Sequence, residues 1–406
     1  MHDLDPKHDV IVIGGGAAGM VAAVSAAERR RNVLLLEKAD RPGRKILASG
    51  NGRCNLMNSG DLRYFGDMQF ARTVLSHCSM KELTRFFRGY GLFLTEEGEG
   101  RVYPLTNQSA SVLSVLKNAM SLNGVTVQLN SRVESVSAEN RLFHVHTSSG
   151  HVFEAGKIII ACGGSAQPKL GGSADGYALL RSFGHTVVPP SPSLVPLNTD
   201  ARSISGLSGI RIRCTASLMH GQEMLHRETG EVLFTDYGVS GICIMQCARF
   251  ISDEGSFLLL DLLHHALPDR AYAVQELCQR QIRFSSCSPV WLLNGILPEK
   301  IAYAVLKQAG LPLRGETAGE IDIQGIEEIV DSAYAYRIDV KGSRGLDYAQ
   351  VTAGGASCCE FDPSTMESMI IPGLYAAGEV LDVDGDCGGF NLMFAFASGR
   401  TAGCAV

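Results

Sequence analysis

The sequence predicts an α/β protein: a Rossmann-like dinucleotide domain built from the two ends of the chain, with a mixed β/α domain inserted between them. Three observations predict it. Residues 9–37 run in the order apolar strand, glycine turn, alanine-rich helix, apolar strand, acid. A proline cluster over 187–196 then interrupts the pattern. From residue 349 the chain returns to glycine-marked apolar strands and closes with a glycine loop entering an apolar helix.

The first stretch carries the most chemistry. Residues 10–13 are an apolar run short enough for a buried parallel strand. Gly14, Gly16 and Gly19 follow in G-x-G-x-x-G register, with Ala18 inside the turn, and residues 20–30 read as a helix. A second apolar run, 33–36, ends in Glu37. This is the order of a βαβ dinucleotide fingerprint. Gly14 permits the tight turn, Gly16 lets a pyrophosphate approach the backbone, Gly19 lets the helix lie close on the sheet, and Glu37 can bond ribose hydroxyls. The free N–H groups and dipole of the helix start favour phosphate charge.

Residues 38–58 form a loop dense in Gly, Asn and basic side chains, long enough to read as functional. Residues 67–90 read as one helix, 92–104 as a hairpin with a glycine turn, and 109–123 as a helix capped by Ser109 or Ser111. Strands at 125–129 and 131–136, with a hairpin of 142–147 and 151–154, suggest a β-meander. A buried strand at 157–161 runs into Gly163, and a helix follows to residue 183. The first segment is set at 1–192, the inserted one at 193–345 and the last at 346–406. The insert shows strands at 210–219 and 256–263, and a polar, glycine-marked turn at 234–241. Its helices read as 242–250, 270–283, 289–297, 298–309 and 325–335. The chain stops inside the pattern of the last apolar helix.

Composition narrows the function. With 45% hydrophobic residues, 19% charged and a net charge of −6, the chain has no electrostatic footprint for nucleic acid. No polybasic stretch points to a membrane surface, so the expected partner is a small-molecule substrate. The first apolar run feeds a glycine turn instead of a cleavage site, and no run is long enough to span a bilayer; a cytoplasmic location is the expectation. The 12 scattered cysteines do not suggest a disulfide framework. Cys358 and Cys359 read as strand residues. Cys243 and Cys247 lack a matching ligand pair, and Asp382, Asp384 and Asp386 lack the closing acid of a calcium loop, so no metal is expected.

Only one complete fingerprint is present, so the dinucleotide held at the N-terminus is expected to be the resident cofactor. Near the C-terminus, an apolar strand ends in Gly378 and Glu379. That acid suits ribitol hydroxyls, and the backbone there suits a pyrophosphate, which favours FAD over NAD. Gly388 and Gly389 let the backbone approach a flavin ring. The helix starting near Asn391 sets its positive end against the charge of a reduced flavin. Asn391 is expected to cap that helix and reach the ring edge. Within residues 43–58, Ser49, Asn51, Asn55 and Asn58 are neutral donors and acceptors. Arg44, Lys45 and Arg53 can meet a phosphate, a substrate anion or a reduced flavin, and Arg101 and Tyr103 can bind a substrate oxygen.

A set of motifs then resembles one bacterial family of FAD-dependent oxidoreductases, which includes aminoacetone oxidase and the 3-dehydro-bile acid Δ4,6-reductase. The set is Gly14-Gly-Gly-Ala-Ala-Gly19, Ser49-Gly-Asn-Gly-Arg-Cys-Asn55, Phe234-Thr-Asp-Tyr-Gly-Val-Ser-Gly241, Gln350-Val-Thr-Ala-Gly-Gly355, Thr365-Met-Glu-Ser368 and Gly378-Glu-Val-Leu-Asp-Val-Asp-Gly385 with Gly388-Gly-Phe-Asn-Leu392. The resemblance covers nearly the whole chain. It implies a two-part FAD domain of the glutathione-reductase type with an inserted domain. It also implies FAD contacts at Gly14, Gly16, Glu37, Lys38, Arg44, Lys45, Asn51, Gly52, Arg53, Cys54, Val133, Ala161, Gly163, Glu379, Asn391 and Leu392. The chain departs from the family at Asn51, where a Gly is usual, at Met369, where a Lys is usual, and at Phe390, where a Tyr is usual.

The reading that results is an FAD-dependent oxidoreductase. Its favoured reaction is reduction of a C=C bond next to a carbonyl, as in a 3-oxo-Δ4 steroid or bile acid, with NADH or NADPH as transient electron donor. Arg53, Arg101 or Tyr103 would polarise the carbonyl. Oxygen-dependent oxidation of an amine such as aminoacetone is one alternative. An FAD-containing tRNA-modifying protein is another, against which the net charge of −6 counts. A flavin-binding or sensory protein without catalysis is the remaining class.

Overall fold

A computed structural model describes residues 8–251, 255–263, 265–267, 269–311 and 315–406. The chain divides into two compact units, Met1–Pro192 with Gln350–Val406, and Ser193–Ala349.

The first unit is organised by a seven-stranded sheet. Its centre is β1 (His8–Ile13), with β2 (Val33–Leu36) on one side and the long strand Val152–Ile160 on the other, both parallel to it. Thr126–Gln128 extends the sheet beyond β2. Leu142–Thr147 and Val133–Glu139 extend it antiparallel beyond Val152–Ile160, and Leu374–Ala376, from the far end of the chain, pairs parallel with Ile158, Ile159 and Ile160. Val10, Ile11 and Val12 have no exposed surface, as expected for parallel strands covered on both faces. Between β1 and β2 runs α1 (Ala17–Glu28), and residues 18–26 of it are all buried. Its alanines let neighbours come close. A Cβ on Gly399 of the last helix, Phe390–Ala405, would lie 2.3 Å from the Ala18 carbonyl oxygen.

Several sequence expectations change here. The 67–90 helix is two helices, Met68–His77 and Met80–Gly89. Ser79 and Glu82 form a capping box, and that reciprocal bonding starts a new helix inside an apolar pattern that continues across it. Neither Ser109 nor Ser111 caps the next helix; Gln108 stands at its N-cap, and the Ser109 hydroxyl donates to the Leu47 carbonyl instead. The hairpin strand at 151–154 and the strand at 157–161 are one strand, because Gly156 between them does not turn. Its first half pairs antiparallel and its second half parallel. The proline-rich residues 187–193 form a strand, paired on one edge only, where prolines cost no ladder bond. Cys358 and Cys359 lie in a short 3₁₀ turn.

The second unit is a closed six-stranded barrel with a set of helices. Around the barrel run Leu197–Thr199, Gly238–Ser240, Glu223–Phe234, Arg211–His220, Ser256–Asp261 and Tyr336–Ser343. The helices are Ile242–Cys247, Arg270–Arg283, Glu299–Gln308 and Ile323–Tyr334. The helix expected over 289–297 is only a 3₁₀ turn, Pro289–Leu292, stopped short of Gly295 and Pro298. This unit ends at Ala349, later than the boundary set at 345. The reason is local: the Arg344 N–H donates to Pro196, and its side chain packs on Tyr237 and Tyr348, which ties the 344–348 turn to the barrel.

Candidate functional site

Three glycines at the end of β1 have three different reasons to be glycine. Gly14 takes φ +111°, and a Cβ there would meet the Ala161 carbonyl oxygen at 2.5 Å. A Cβ on Gly19 would lie 1.8 Å from the Gly14 carbonyl oxygen. Both allow α1 and the strands to close up. At Gly16 a Cβ would meet nothing within 4 Å, and φ is an ordinary −82°. Gly16 is the N-cap of α1, and no side chain caps that helix. Room therefore lies over free N–H groups at the positive end of a helix, a cradle suited to a pyrophosphate.

Beside it, Glu37 is fixed by two backbone donors, Gly15 N–H to Oε2 at 2.7 Å and Ala39 N–H to Oε1 at 2.8 Å. Each oxygen keeps capacity for a ribose hydroxyl. Gly14, Gly16, Lys38, Arg44, Val133 and Ala161 line one cleft of about 100 Å³ at this end. Glu37 and Lys45 border it too. Asp175 sets the charge here. Lys38 Nζ pairs with it at 3.2 Å and Arg132 at 2.8 Å. Burial pushes the Asp175 carboxyl up, but the bonds from Arg132 and Ser173 and the Lys38 charge outweigh it and hold the group below its ordinary 3.8.

The C-terminal part reaches the same place. Lys45 Nζ pairs with Glu379 Oε2 at 2.8 Å, and Thr352 N–H donates to Glu379 Oε1 at 2.9 Å. Gly163 lies beside that carboxylate, and a Cβ on Gly378 would press on Ala18 at 2.8 Å. The strand end carrying Glu379 is thus seated on α1. Thr352 was not singled out by the sequence reading. Its hydroxyl also accepts the Ala166 N–H at 2.9 Å, so it ties three segments together. The signal for it was its place in the glycine-flanked 350–355 motif.

A second cluster gathers the 43–58 loop, the 94–104 hairpin and the start of the last helix. Gly389, at φ +105°, is the N-cap of that helix, again without a side-chain cap. A Cβ there would meet the Met57 carbonyl at 2.3 Å and Asn55 Oδ1 at 2.8 Å. Asn58 clamps the turn: its Nδ2 donates to the Gly388 carbonyl at 2.8 Å and its Oδ1 accepts from Gly60. The Tyr64 hydroxyl donates to the Phe390 carbonyl at 2.9 Å. Asn391 does not cap the helix, contrary to expectation. Standing one residue into it, its side chain accepts from Gly385 N–H at 2.8 Å and donates to the Gly385 carbonyl at 2.7 Å, bracing the preceding loop. The Asn391 amide is thereby spent inside the protein. Asn55 Oδ1 is buried beside Gly389 with no hydrogen-bond partner, an acceptor facing a missing donor.

In the 49–54 loop, Gly50, Asn51, Gly52 and Cys54 take φ of 56°, 54°, 84° and 58°. Asn is the side chain that best tolerates that region, which accounts for Asn51 at a position where the resembling family has Gly. Cys54 is fully buried, and burial pushes its thiol up to about 11, so only its backbone can touch a cofactor.

Arg101 and Tyr103 lie on one strand, Arg101–Pro104, and Arg53 follows the Ser49–Gly52 turn; the three candidate catalytic groups differ in state. Arg53 is used up: its side chain donates to Asn107 and Glu97 and stacks 4.1 Å over the Tyr103 ring. Tyr103 is buried beneath it. Among the described residues Arg101 pairs only with Glu99, whose side chain is 73% exposed. Its charge also reaches Cys387, next to Gly388, where it opposes the upward push of burial on that thiol.

Comparison with known proteins now fixes the family. The family model described as HI0933-like protein Rossmann domain matches residues 8–405. This chain belongs to that HI0933-like family. It is 36% identical to a 3-dehydro-bile acid Δ(4,6)-reductase of Clostridium scindens over 382 residues, 92% of each chain. It is 27% identical to a ribosomal RNA dihydrouridine synthase of Escherichia coli, covering 97% of this chain and 96% of the other. Among solved structures, the open form of a flavocytochrome c3 fumarate reductase superposes with a TM-score of 0.51 at 16% identity, over 99% of this chain and 78% of that one, a likeness of fold. The protein is an FAD-dependent oxidoreductase with a Rossmann-like FAD domain and an inserted β domain. The open cradle at Gly16, the pre-set Glu37 and the orphaned Asn55 oxygen all fit that cofactor. No helix among the described residues is long and apolar enough to cross a membrane.

Proposed function

We propose that the protein reduces a C=C bond conjugated to a carbonyl, in a small substrate of the 3-oxo-Δ4 steroid or bile-acid class, drawing electrons from NADH or NADPH. The observation that carries this is the 36% identity to a bile-acid Δ(4,6)-reductase across 92% of both chains. FAD, when bound, supplies the hydride for the β carbon. The residues of the chain supply the rest. Gly16, Glu37, Lys45 and Glu379 would hold the cofactor. The uncapped N–H groups after Gly389 would stabilise negative charge on its ring, an effect of about 0.3–1 kcal/mol for an exposed helix end and up to about 2 kcal/mol when partly buried. Arg101 would donate to the substrate carbonyl, since it is held by a single acid, Glu99, whereas Arg53 is divided among Glu97, Asn107 and the Tyr103 ring. Such a donor acts on charge that grows in the transition state.

The test is one anaerobic series. The FAD-loaded protein is bleached with NADH or NADPH, then offered a 3-oxo-Δ4 steroid. Reoxidation with loss of enone absorbance is expected. A flavin that stays reduced with the enone and reoxidises with oxygen, with aminoacetone driving oxygen uptake, refutes the reductase reading.

A second reading has its own support in the 27% match to an rRNA dihydrouridine synthase over 97% of this chain. Dihydrouridine is uridine with a C=C next to a carbonyl saturated, so the bond chemistry is the same. The net charge of −6 weighs against a polyanionic substrate. Uridine reduction in an rRNA fragment, with no turnover of the enone, would decide for it.

A further inference from the structure

The first unit holds a second cleft, of about 830 Å³. Its walls come from the ends of α1 and Met68–His77, from Met80–Gly89, from the turn at 364–365 and from the last helix, all inside that unit. Among the described residues, none that borders the cleft at Gly16 borders this one. Clefts of about 300–1,000 Å³ hold small organic molecules. Thr401, on the last helix, sets the first requirement. It is 8% exposed and borders the cleft, yet among the described residues its hydroxyl makes no hydrogen bond. Ser398 on the same helix returns its hydroxyl to the Phe394 carbonyl at 2.6 Å. The Thr401 hydroxyl is not turned back in that way, and its donor and acceptor are free for what enters the cleft.

The charges around the cleft divide into engaged and free. Glu28 accepts from the Tyr90 hydroxyl at 2.7 Å and pairs with Arg400, which also donates to the Ser25 hydroxyl at 3.0 Å. Glu82 is taken up as a helix cap by the Ser79 N–H at 2.8 Å and hydroxyl at 3.3 Å. The His77 ring bonds the Thr73 carbonyl at 2.9 Å. Arg85 borders the same cleft, is exposed, and makes no hydrogen bond or ion pair among the described residues. One fixed positive charge is therefore free where the cleft meets solvent, and one hydroxyl is free where it is buried. The wall also carries an aromatic pair: buried Phe86 meets Tyr90 edge-on, with ring centroids 5.3 Å apart. A cation at the mouth, an aromatic wall and a hydroxyl at depth match a monoanion with an apolar body and a polar group at its far end. A carboxylate offers one charge and two oxygens to a guanidinium. A phosphate monoester carries about −1.5 to −2 at pH 7 and would set its extra charge against Glu28 and Glu82.

We propose that this cleft is a second ligand site, separate from the cofactor cleft, for a small organic acid: Arg85 meets the carboxylate, Phe86 and Tyr90 flank the body, and Thr401 bonds a hydroxyl or carbonyl at the buried end. The site does not rest on the reductase reading. The test uses the full FAD-loaded protein, so that the cleft at Gly16 is filled. Four probes are titrated by calorimetry: 6-hydroxy-2-naphthoate, its methyl ester, 2-naphthoate and 2-naphthyl phosphate. The hydroxy acid should bind most tightly. Arg85→Gln should weaken both acids by about 3- to 10-fold, between the worth of an exposed ion pair and that of a buried charged hydrogen bond, and leave the ester as it was. Thr401→Val should weaken the hydroxy acid by about 2- to 10-fold and leave 2-naphthoate as it was. The same substitution removes a hydroxyl that bonds nothing and keeps its shape, so the urea midpoint of the free protein should not fall.

Absence of saturable binding by the hydroxy acid overturns the site. Binding that neither substitution changes does the same, because the probe then sits elsewhere. Equal affinity for acid and ester removes the part given to Arg85. A Thr401→Val protein that loses both acids alike shows a packing effect and removes the part given to the hydroxyl. Tighter binding of 2-naphthyl phosphate than of 2-naphthoate overturns the carboxylate in favour of phosphate. If Thr401→Val does not fold, the wild-type comparison of hydroxy acid with 2-naphthoate, together with Arg85→Gln, decides.

Discussion

Replacing Gly16 and Gly19 by alanine should separate cofactor binding from folding, although the two lie three residues apart on one turn. At Gly19 a new Cβ falls 1.8 Å from the Gly14 carbonyl oxygen, where contact needs over 3 Å. The helix or the strand must give by more than an ångström. Residues 18–26 of α1 are buried throughout, so the helix has no open side to retreat to. Overpacking of this kind costs about 1–3 kcal/mol and sometimes more, and the shift required puts Gly19→Ala at about 3 kcal/mol. The gain in helix propensity, about 1 kcal/mol, offsets only part. At Gly16 the methyl group meets nothing within 4 Å at φ −82°, so apoprotein stability should stay within about 0.5 kcal/mol. The same methyl would stand where the pyrophosphate must approach, and FAD affinity should fall by about 10- to 100-fold, since each 1.4 kcal/mol is tenfold. Urea unfolding of both apoproteins and titration of FAD by flavin fluorescence measure the two effects. A Gly16→Ala protein that binds FAD like the wild type, or one as destabilised as Gly19→Ala, refutes the cradle.

Thr352→Val keeps the shape but strands the buried Ala166 N–H, and should lower the urea midpoint by the equivalent of about 1–3 kcal/mol. Arg101→Gln should lower kcat by about 10²- to 10³-fold with FAD affinity unchanged; a loss in FAD affinity instead would return Arg101 to the cofactor. Asp175 titrates below 3.8 in the folded protein, so its pairs with Arg132 and Lys38 contribute fully above that pH. They are lost as pH falls through the lowered value. Asp175→Asn should therefore be less stable than the wild type at pH 7, with the gap closing below about pH 3.8 in urea midpoints.

How legible each part was depended on how local its cause is. The β1–α1–β2 fingerprint depends on short-range spacing and turn chemistry, and it was read directly. The capping box at Ser79 and Glu82 was also on the page, but the apolar period running through it hid the break. In the barrel, Tyr336–Ser343 alternates buried Tyr336, Ile338 and Val340 with exposed Arg337 and Lys341, a strand signal that was passed over. Glu223–Phe234 gave no such signal: polar over most of its length, it is held as a strand by pairing along the whole of Arg211–His220. Asn391 looked like a cap because a helix begins there, and only the position of Gly385 shows where its amide is spent.

The sequence by itself determined the fold class and marked the two carboxylates, Glu37 and Glu379, proposed to hold the cofactor. Those follow from residue type at fixed spacing along one strand and turn. The tertiary structure alone decided which glycine leaves room and which only permits packing, because that depends on backbone from elsewhere in the chain. It also decided that Arg53 is divided among Glu97, Asn107 and the Tyr103 ring while Arg101 pairs with Glu99. Likewise it placed Arg344 against a tyrosine more than a hundred residues upstream in the chain. A side chain's chemistry is written in its letter; whether its charge is already neutralised depends on what the fold brings beside it.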